Sequence, residues 1–251
     1  MALHEPMTAA GHGELARIGV VVSHGFSGSP ESVRPWAEYF AGQGFAVNMP
    51  LLPGHGTTWE EMARTPWQHW YTEVERAYFE LSAQCDRVFV AGLSMGGALA
   101  LRIAEHHPVA GLALVNPALA VVDPRAKLAG VMRHVLKSTP AIGNDILKPG
   151  VEEYAYDRTP VAAVAQLMKL IKDTAGNLPK VTAPIMVFQS TVDHIVAGSS
   201  ADRIRAGVSS KDLHIVKLAN SYHVATLDND APEIFERSTA FFKELAGVHN
   251  S

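Results

Sequence analysis

The chain has 251 residues, 47% of them hydrophobic and 18% charged, with a formal net charge of -4. Such a composition is too apolar for a disordered chain and suits one domain with an insertion; mild acidity, without a basic stripe among aromatics, argues against a nucleic-acid partner. The single cysteine, Cys85, excludes an intrachain disulfide and a cysteine-built metal site.

The first residues, Met1-Ala2-Leu3-His4-Glu5-Pro6, carry neither the basic start nor the apolar run of a leader, so a cytoplasmic protein is expected. The N-terminal dozen is expected to be loosely ordered or to form an edge strand. The apolar run 18–23 predicts a buried strand, and Ser23-His24-Gly25-Phe26-Ser27-Gly28 leaves it as a loop. A helix over 30–43 and a strand over 45–50 lead to Leu52-Pro53-Gly54-His55-Gly56, a turn whose histidine is expected to hold a loop. A helix over 67–83, a strand over 87–91, a helix over 95–107 and a strand over 111–116 follow. The most apolar window, 97–116, is interrupted by Arg102, Glu105, His106 and His107, so no membrane-spanning segment is expected.

Between Pro117 and Ala183 no strand-like run occurs. Asp123-Pro124 is a good helix start. Leu128, Val131, Met132, Val135 and Leu136 then form one apolar stripe at helical spacing. A second helical pattern begins at Thr159-Pro160 and carries Val161, Val164, Leu167, Met168 and Ile171. Residues 118–183 thus read as a helical cap inserted into a core made of 1–117 and 184–251. Strands over 185–189 and 213–218, with helices over 199–206 and 232–245, complete the chain. This alternation predicts an α/β fold, a mostly parallel central sheet flanked by helices.

The candidate chemistry sits at strand ends. Gly92-Leu93-Ser94-Met95-Gly96-Gly97 is G-x-S-x-G between a strand and a helix, the setting in which a serine stands on a sharp turn above a sheet. A tetrahedral intermediate needs aimed N–H donors. Met95, following the serine, and Phe26, on the first strand's loop, are the candidates for an oxyanion hole. The order Ser, then acid, then His points to Asp193, just past the strand 185–189, and to His223, past the strand 213–218. His223 would take the Ser94 proton, and Asp193 would fix its tautomer. His194 adjoins Asp193, but neighbours in extended chain point apart. Asp228 and Asp230 read as helix-start or surface carboxylates. His24 is expected to orient the oxyanion loop from behind, close to the substrate. No metal site, P-loop or dinucleotide fingerprint occurs, so no cofactor is expected.

On these residues the sequence resembles bacterial monoacylglycerol lipases and the related thermostable carboxylesterases of the α/β-hydrolase superfamily. The carrying segments are His24 to Gly28, Leu52-Pro53-Gly54-His55-Gly56-Thr57, the serine turn, Tyr154-Ala155-Tyr156 before Thr159-Pro160, Asp193-His194, and Asn220-Ser221-Tyr222-His223-Val224-Ala225-Thr226-Leu227-Asp228. The resemblance covers nearly the whole chain and implies the α/β-hydrolase fold with a small helical cap, an apolar acyl tunnel and a polar pocket for glycerol. It implies that a cap glutamate, matching Glu153 with Glu152 as the neighbouring alternative, hydrogen-bonds glycerol hydroxyls. The stretch from Ala118 to Arg133 departs from the family pattern.

The substrate expected is a lipid ester, most specifically a monoacylglycerol cleaved to glycerol and fatty acid. The apolar cap stripe, with Ile142, Ile146 and Leu147 after it, either packs on the main domain or lines the acyl channel, and Ile142 is counted with Glu153 and His24 among the substrate residues. The same face offers transient contact with a membrane or a second subunit, so monomer and homodimer both stay open. Three rivals remain: a general short-chain carboxylesterase, a peptidase or carbon–carbon hydrolase, and an inactive ligand-binding member.

Overall fold

The computed structural model describes residues 4–141 and 143–248. In chain order its elements are β1 (Met7–Ala9), β2 (Ile18–Ser23), α1 (Arg34–Gly42), β3 (Ala46–Met49), α2 (Trp59–Arg64), α3 (Trp67–Ser82), β4 (Arg87–Leu93), α4 (Met95–His106), β5 (Leu112–Val115), α5 (Ala129–Met132), β6 (Ser138–Pro140), β7 (Arg158–Pro160), α6 (Val161–Asn177), β8 (Ile185–Ser190), α7 (Ser199–Gly207), β9 (Leu213–Leu218) and α8 (Ala231–Ala246). The main sheet has the order β1-β3-β2-β4-β5-β8-β9. All its neighbours pair in parallel except β1, which runs antiparallel to β3 and closes the edge.

Period-two side chains give the sheet two buried faces. Val20, Val22, Phe89 and Ala91 meet Trp36 and Phe40 of α1 and Phe241 and Phe242 of α8. Val21, Val88 and Val90, one residue out of phase, meet Trp70 and Val74 of α3, Leu101 of α4 and Leu170 of α6. Strands covered on both sides need no polar face, which is why they read as continuous apolar runs. Each large side chain so buried contributes about 1.5–3 kcal/mol. Strand order reverses between β2 and β4, and the crevice at their carboxyl ends is where open α/β sheets receive ligands.

The segment between β5 and β8 departs from expectation in two ways. It contains a short antiparallel pair, β6 with β7, where no strand is expected. Each of these strands is three residues long and ends in Thr-Pro, too short for a periodic signal and tolerable only because it is an isolated edge. The stripe from Leu128 to Leu136 does not build a long helix. A 3₁₀ turn, Pro124–Leu128, gives way to the four-residue α5, and Gly130 lies within it. Nor is the stripe buried: Val131 is 74% and Val135 81% exposed. By contrast α6 packs its Ala163, Leu167, Leu170 and Ile171 into the same core as α3 and α4. Among the described residues no helix is long and apolar enough to cross a membrane.

Candidate active site

Ser94 stands at the turn from β4 into α4 with φ 56 and ψ -116, a conformation strained for a residue with a side chain. Close backbone approach explains the flanking glycines. A Cβ at Gly92 would lie 2.3 Å from the Gly96 carbonyl oxygen, and one at Gly96 would lie 2.1 Å from that of Ser23. Gly96 is therefore the contact that lets the serine turn sit against the end of β2, at the reversal of strand order.

The loop leaving β2 comes to the same point. A Cβ built at Gly25 would lie 3.5 Å from the Ser94 Cβ, so the Gly25–Phe26 backbone borders the nucleophile. The Phe26 ring anchors that loop edge-on against Trp70 at 6.0 Å. Met95 opens α4, whose first N–H groups have no intrahelical acceptor and offer themselves to an anion.

Behind this loop His24 is fully buried. Its Nε2 accepts from the Leu52 N–H at 3.1 Å, so Nδ1 carries the proton and donates to the Gly25 carbonyl at 3.0 Å. With both ring nitrogens committed to backbone, it orients the loop and turns no polar atom toward a ligand, which corrects its place among the substrate residues. Burial, reinforced by neighbouring His55, holds His24 down at about 3, and burial holds His55 at about 4, so both rings stay neutral.

The structure brings the three distant candidates together. His223 Nε2 accepts from Ser94 Oγ at 2.9 Å, and its Nδ1 donates to Asp193 Oδ2 at 2.8 Å. Asp193 Oδ1 accepts from the Ile195 and Val196 amides at 2.9 and 2.7 Å, which fixes the carboxylate plane. Ser94 and His223 are both buried. His194 points the other way and donates through Nδ1 to Asp145 at 2.7 Å. A cavity of about 80 Å³ lies behind Asp193, lined by Asn116, Ser190, Thr191 and Ser200 among others. Its size suits water, not an ester.

Several side chains around the triad escape a sequence reading. Asn116, with φ 43 at the end of β5, is buried; its Nδ2 donates to the His223 carbonyl at 2.8 Å and to Ser190 Oγ at 2.9 Å, while its Oδ1 accepts from the Ser190 N–H at 2.8 Å. The only sequence hint is an Asn at a strand end, a residue that tolerates positive φ. Asp228, read as a helix-start or surface carboxylate, is buried and accepts from the Tyr222 N–H at 2.9 Å. Asp230 does occupy the N-cap position of α8, but it too is buried, and its Oδ2 accepts from the Asn220 N–H at 2.9 Å.

Glu153 arrives from the inserted segment. A Cβ at Gly28 would lie 2.7 Å from its Oε1, so its carboxyl reaches the loop that leaves β2. Burial pushes that carboxyl up to about 7, partly offset by His223 and reinforced by Glu31. The same segment is tied down by Tyr156, whose hydroxyl donates to the Gly54 carbonyl at 2.7 Å and accepts from the Thr57 N–H at 3.0 Å. Ile142 lies outside the described residues. Glu152 is exposed. Among the described residues no group of three or more His, Cys, Asp and Glu side chains is arranged to hold a metal.

Comparison with known proteins gives consistent matches. A family model described as serine aminopeptidase, S33, matches residues 16–230. The chain is 44% identical over 239 residues to a thermostable monoacylglycerol lipase of Bacillus sp. (strain H-257), covering 94% of each. It is 25% identical over 227 residues to a carboxylesterase of Bacillus subtilis (strain 168), covering 90% of this chain and 92% of that one. Among solved structures, one reported for LipS and LipT, two metagenome-derived lipolytic enzymes, superposes with a TM-score of 0.92 at 41% identity, covering 97% of this chain and 99% of that one. Paleococcus ferrophilus monoacylglycerol lipase superposes with a TM-score of 0.78 at 19% identity, covering 96% and 98%, a likeness of fold.

Proposed function

The chain belongs to the serine aminopeptidase, S33, family of α/β-hydrolases, and from that premise we propose that it is a serine hydrolase cleaving carboxylic esters, with monoacylglycerols as its substrates. The observation that carries this reading is the unbroken relay from Ser94 Oγ through the His223 ring to Asp193, 2.9 and 2.8 Å long. Relatives along nearly the full chain are a monoacylglycerol lipase and a carboxylesterase.

In this reading Ser94 Oγ attacks the ester carbonyl while His223 Nε2 takes its proton. The Phe26 and Met95 N–H groups hold the resulting oxyanion, a service typically worth about 3–4 kcal/mol per donor. Collapse breaks the carbon–oxygen bond, and His223 returns the proton to the leaving glycerol oxygen. A water molecule, deprotonated by the same imidazole, then releases the fatty acid from Ser94. Asp193 keeps the tautomer in which Nδ1 bears hydrogen. Glu153, at the oxyanion loop, is assigned to the glycerol hydroxyls.

Residues 118–183 act as the cap, with α6 as its fixed side against α3 and α4. The exposed side chains Leu128, Val131 and Val135 are interleaved with exposed Arg125, Lys127, Arg133 and Lys137. An apolar surface among cations suits a lipid interface carrying negative charge, and the cap is proposed to meet its substrate there. Cys85, a free thiol, suits a reducing compartment such as the cytoplasm.

The family description favours one other reading, an aminopeptidase in which Glu153 would receive a substrate's amino group. A substrate panel decides between them. Monoacylglycerols should be cleaved in preference to diacylglycerols and aminoacyl p-nitroanilides, and a fluorophosphonate should label wild type but not Ser94→Ala. Equal cleavage of monoacyl and diacyl esters would remove the glycerol pocket, and faster cleavage of the anilides would replace lipase with peptidase.

A further inference from the structure

The peptide of His223 is held on both sides by side chains from elsewhere in the chain. Its carbonyl accepts from Asn116 Nδ2 at 2.8 Å, from the end of β5. Its N–H donates to Asp145 Oδ2 at 3.2 Å, and Asp145 belongs to the cap. The same carboxylate accepts from the His194 N–H at 3.1 Å and from His194 Nδ1 at 2.7 Å. His194 is the residue after Asp193. The main chain of Asp145 joins in, its carbonyl accepting from the Val224 N–H at 3.1 Å. One cap residue thus spans the loop that carries the acid and the loop that carries the base.

The next cap residues are held by the reverse arrangement. Leu147 and Lys148 donate their N–H groups to Asp228 Oδ2 and Oδ1 at 2.7 and 2.9 Å. Asp228 also accepts from the Tyr222 N–H, next to the base. Two carboxylates, one from each side, therefore lock residues 145–148 onto the histidine loop. Carboxylates accepting several amides make charge-assisted bonds that fix geometry well.

We propose that Asp145 is a positioning residue for the triad: a cap-borne carboxylate that sets the spacing of the Asp193 and His223 loops, and so makes the base of the cap part of the catalytic frame. The proposal rests on the ester-hydrolase reading and extends it. A misplacement of about 1 Å between reacting groups costs on the order of 100-fold in rate, whichever substrate is bound. Asp145 does not touch Ser94, so its effect must pass through His223 and the acid loop.

The test compares Asp145→Asn and Asp145→Ala with wild type on p-nitrophenyl acetate, which is too small to need the cap, and on a monoacylglycerol. The expected result is the same fall in kcat on both, on the order of 10- to 100-fold for Ala and less for Asn, with KM changed by less than about threefold. Phosphonylation of Ser94 by a small fluorophosphonate should slow by a matching factor. Should the Ala variant not fold, Asn and the exposed-ring variant His194→Ala carry the test, the latter with a smaller fall in the same sense. An unchanged kcat on p-nitrophenyl acetate beside a raised KM for monoacylglycerol would make Asp145 a substrate contact and overturn the proposal, as would unchanged labelling. The labelling ratio reads Asp145 even if wild type turned over no ester, so failure of the activity and failure of the positioning role remain distinguishable.

Discussion

Gly28 leaves the space that Glu153 fills: a Cβ on residue 28 would stand 2.7 Å from Glu153 Oε1. A carboxyl of the segment between β5 and β8 and a glycine of the loop leaving β2 are thereby matched in shape. Gly28→Ala should push Glu153 aside while leaving the loop backbone in place, because the clash is with the end of a side chain. The KM for monoacylglycerol is expected to rise about tenfold, the loss of one hydrogen bond to a charged or polar anchor. Hydrolysis of p-nitrophenyl acetate should stay within about twofold of wild type. Equal losses on both substrates would mean that the oxyanion loop itself had moved.

Glu153 also carries a pH signature. Its carboxyl, pushed up to about 7 by burial, is protonated below that pH and ionised above it. Only the ionised form accepts charge-assisted bonds from glycerol hydroxyls at both oxygens. The KM for monoacylglycerol should therefore fall as pH rises through about 7, measured relative to a p-nitrophenyl ester so that titration of the triad cancels. In Glu153→Gln that relative KM should be flat. A wild-type ratio that ignores pH from 6 to 8 on this scale would assign the glycerol contact to another residue.

Asn116 ties the acid strand to the base loop, so Asn116→Ala should cost both stability and rate. It removes donors to the His223 and Tyr222 carbonyls and to Ser190 Oγ, and an acceptor for the Ser190 N–H, and it leaves a non-glycine residue at positive φ. Leaving buried groups unpaired costs about 1–3 kcal/mol each before relaxation. A loss of roughly 2–4 kcal/mol in unfolding free energy is expected, together with at least a tenfold lower kcat at a temperature where the variant is folded. Wild-type kcat in a destabilised variant would limit Asn116 to a structural role.

The features legible in the sequence are those set by local chemistry. Buried parallel strands are apolar throughout, so β2, β4, β5 and β8 are visible as runs. The serine turn is visible because Gly92, Ser94 and Gly96 keep a fixed spacing between an apolar run and a helical pattern, although Gly96 answers to the distant Ser23 carbonyl. The order of Ser94, Asp193 and His223 along the chain places each at a strand end. Asp145, Asn116 and Asp228 are invisible in the same sequence, since each acts on amides or carbonyls that only the folded topology brings near. The periodicity from Leu128 to Leu136 misleads for a related reason: helical spacing reports amphipathic potential, and with Gly130 inside and only Ala129 buried, against Val161 and Ala165 of α6, one turn of α-helix forms. For α2 a signal exists, the Thr58 hydroxyl accepting from the Glu61 N–H at 3.2 Å, a Thr-x-x-Glu box ahead of a short helix.

The exposed stripe makes the cap's surface role testable apart from catalysis. Val131→Asp with Val135→Asp places two anions where apolar side chains stand 74% and 81% exposed, so folding should be unaffected. Binding to vesicles containing anionic phospholipid is expected to fall at least tenfold in sedimentation, since burial of each such side chain supplies about 1.5–3 kcal/mol. Activity on water-soluble esters should persist. Undiminished vesicle binding would exclude the stripe as the lipid-facing surface.

Away from the site, Glu105 gives the fold a pH dependence of its own. Its side chain is wholly buried between α4 and α6, with Oε2 accepting from Arg102 Nη1 at 2.7 Å, while Arg102 Nη2 also reaches Asp173 at 2.8 Å. Burial pushes the carboxyl from an ordinary value of 4.5 to about 7, against the pull of Arg102. Between those two values the folded protein keeps a proton that the unfolded chain has released. Stability must then fall as pH rises through that window and level off above about 7. Glu105→Gln keeps an acceptor for Arg102 and deletes the titration. Its thermal midpoint should accordingly decline less than that of wild type between pH 5 and pH 8, and the difference between the two proteins should shift in the variant's favour as pH increases. Parallel midpoint curves for the two proteins across this range would show that Glu105 is already ionised at the lower pH, held so by Arg102 despite its burial.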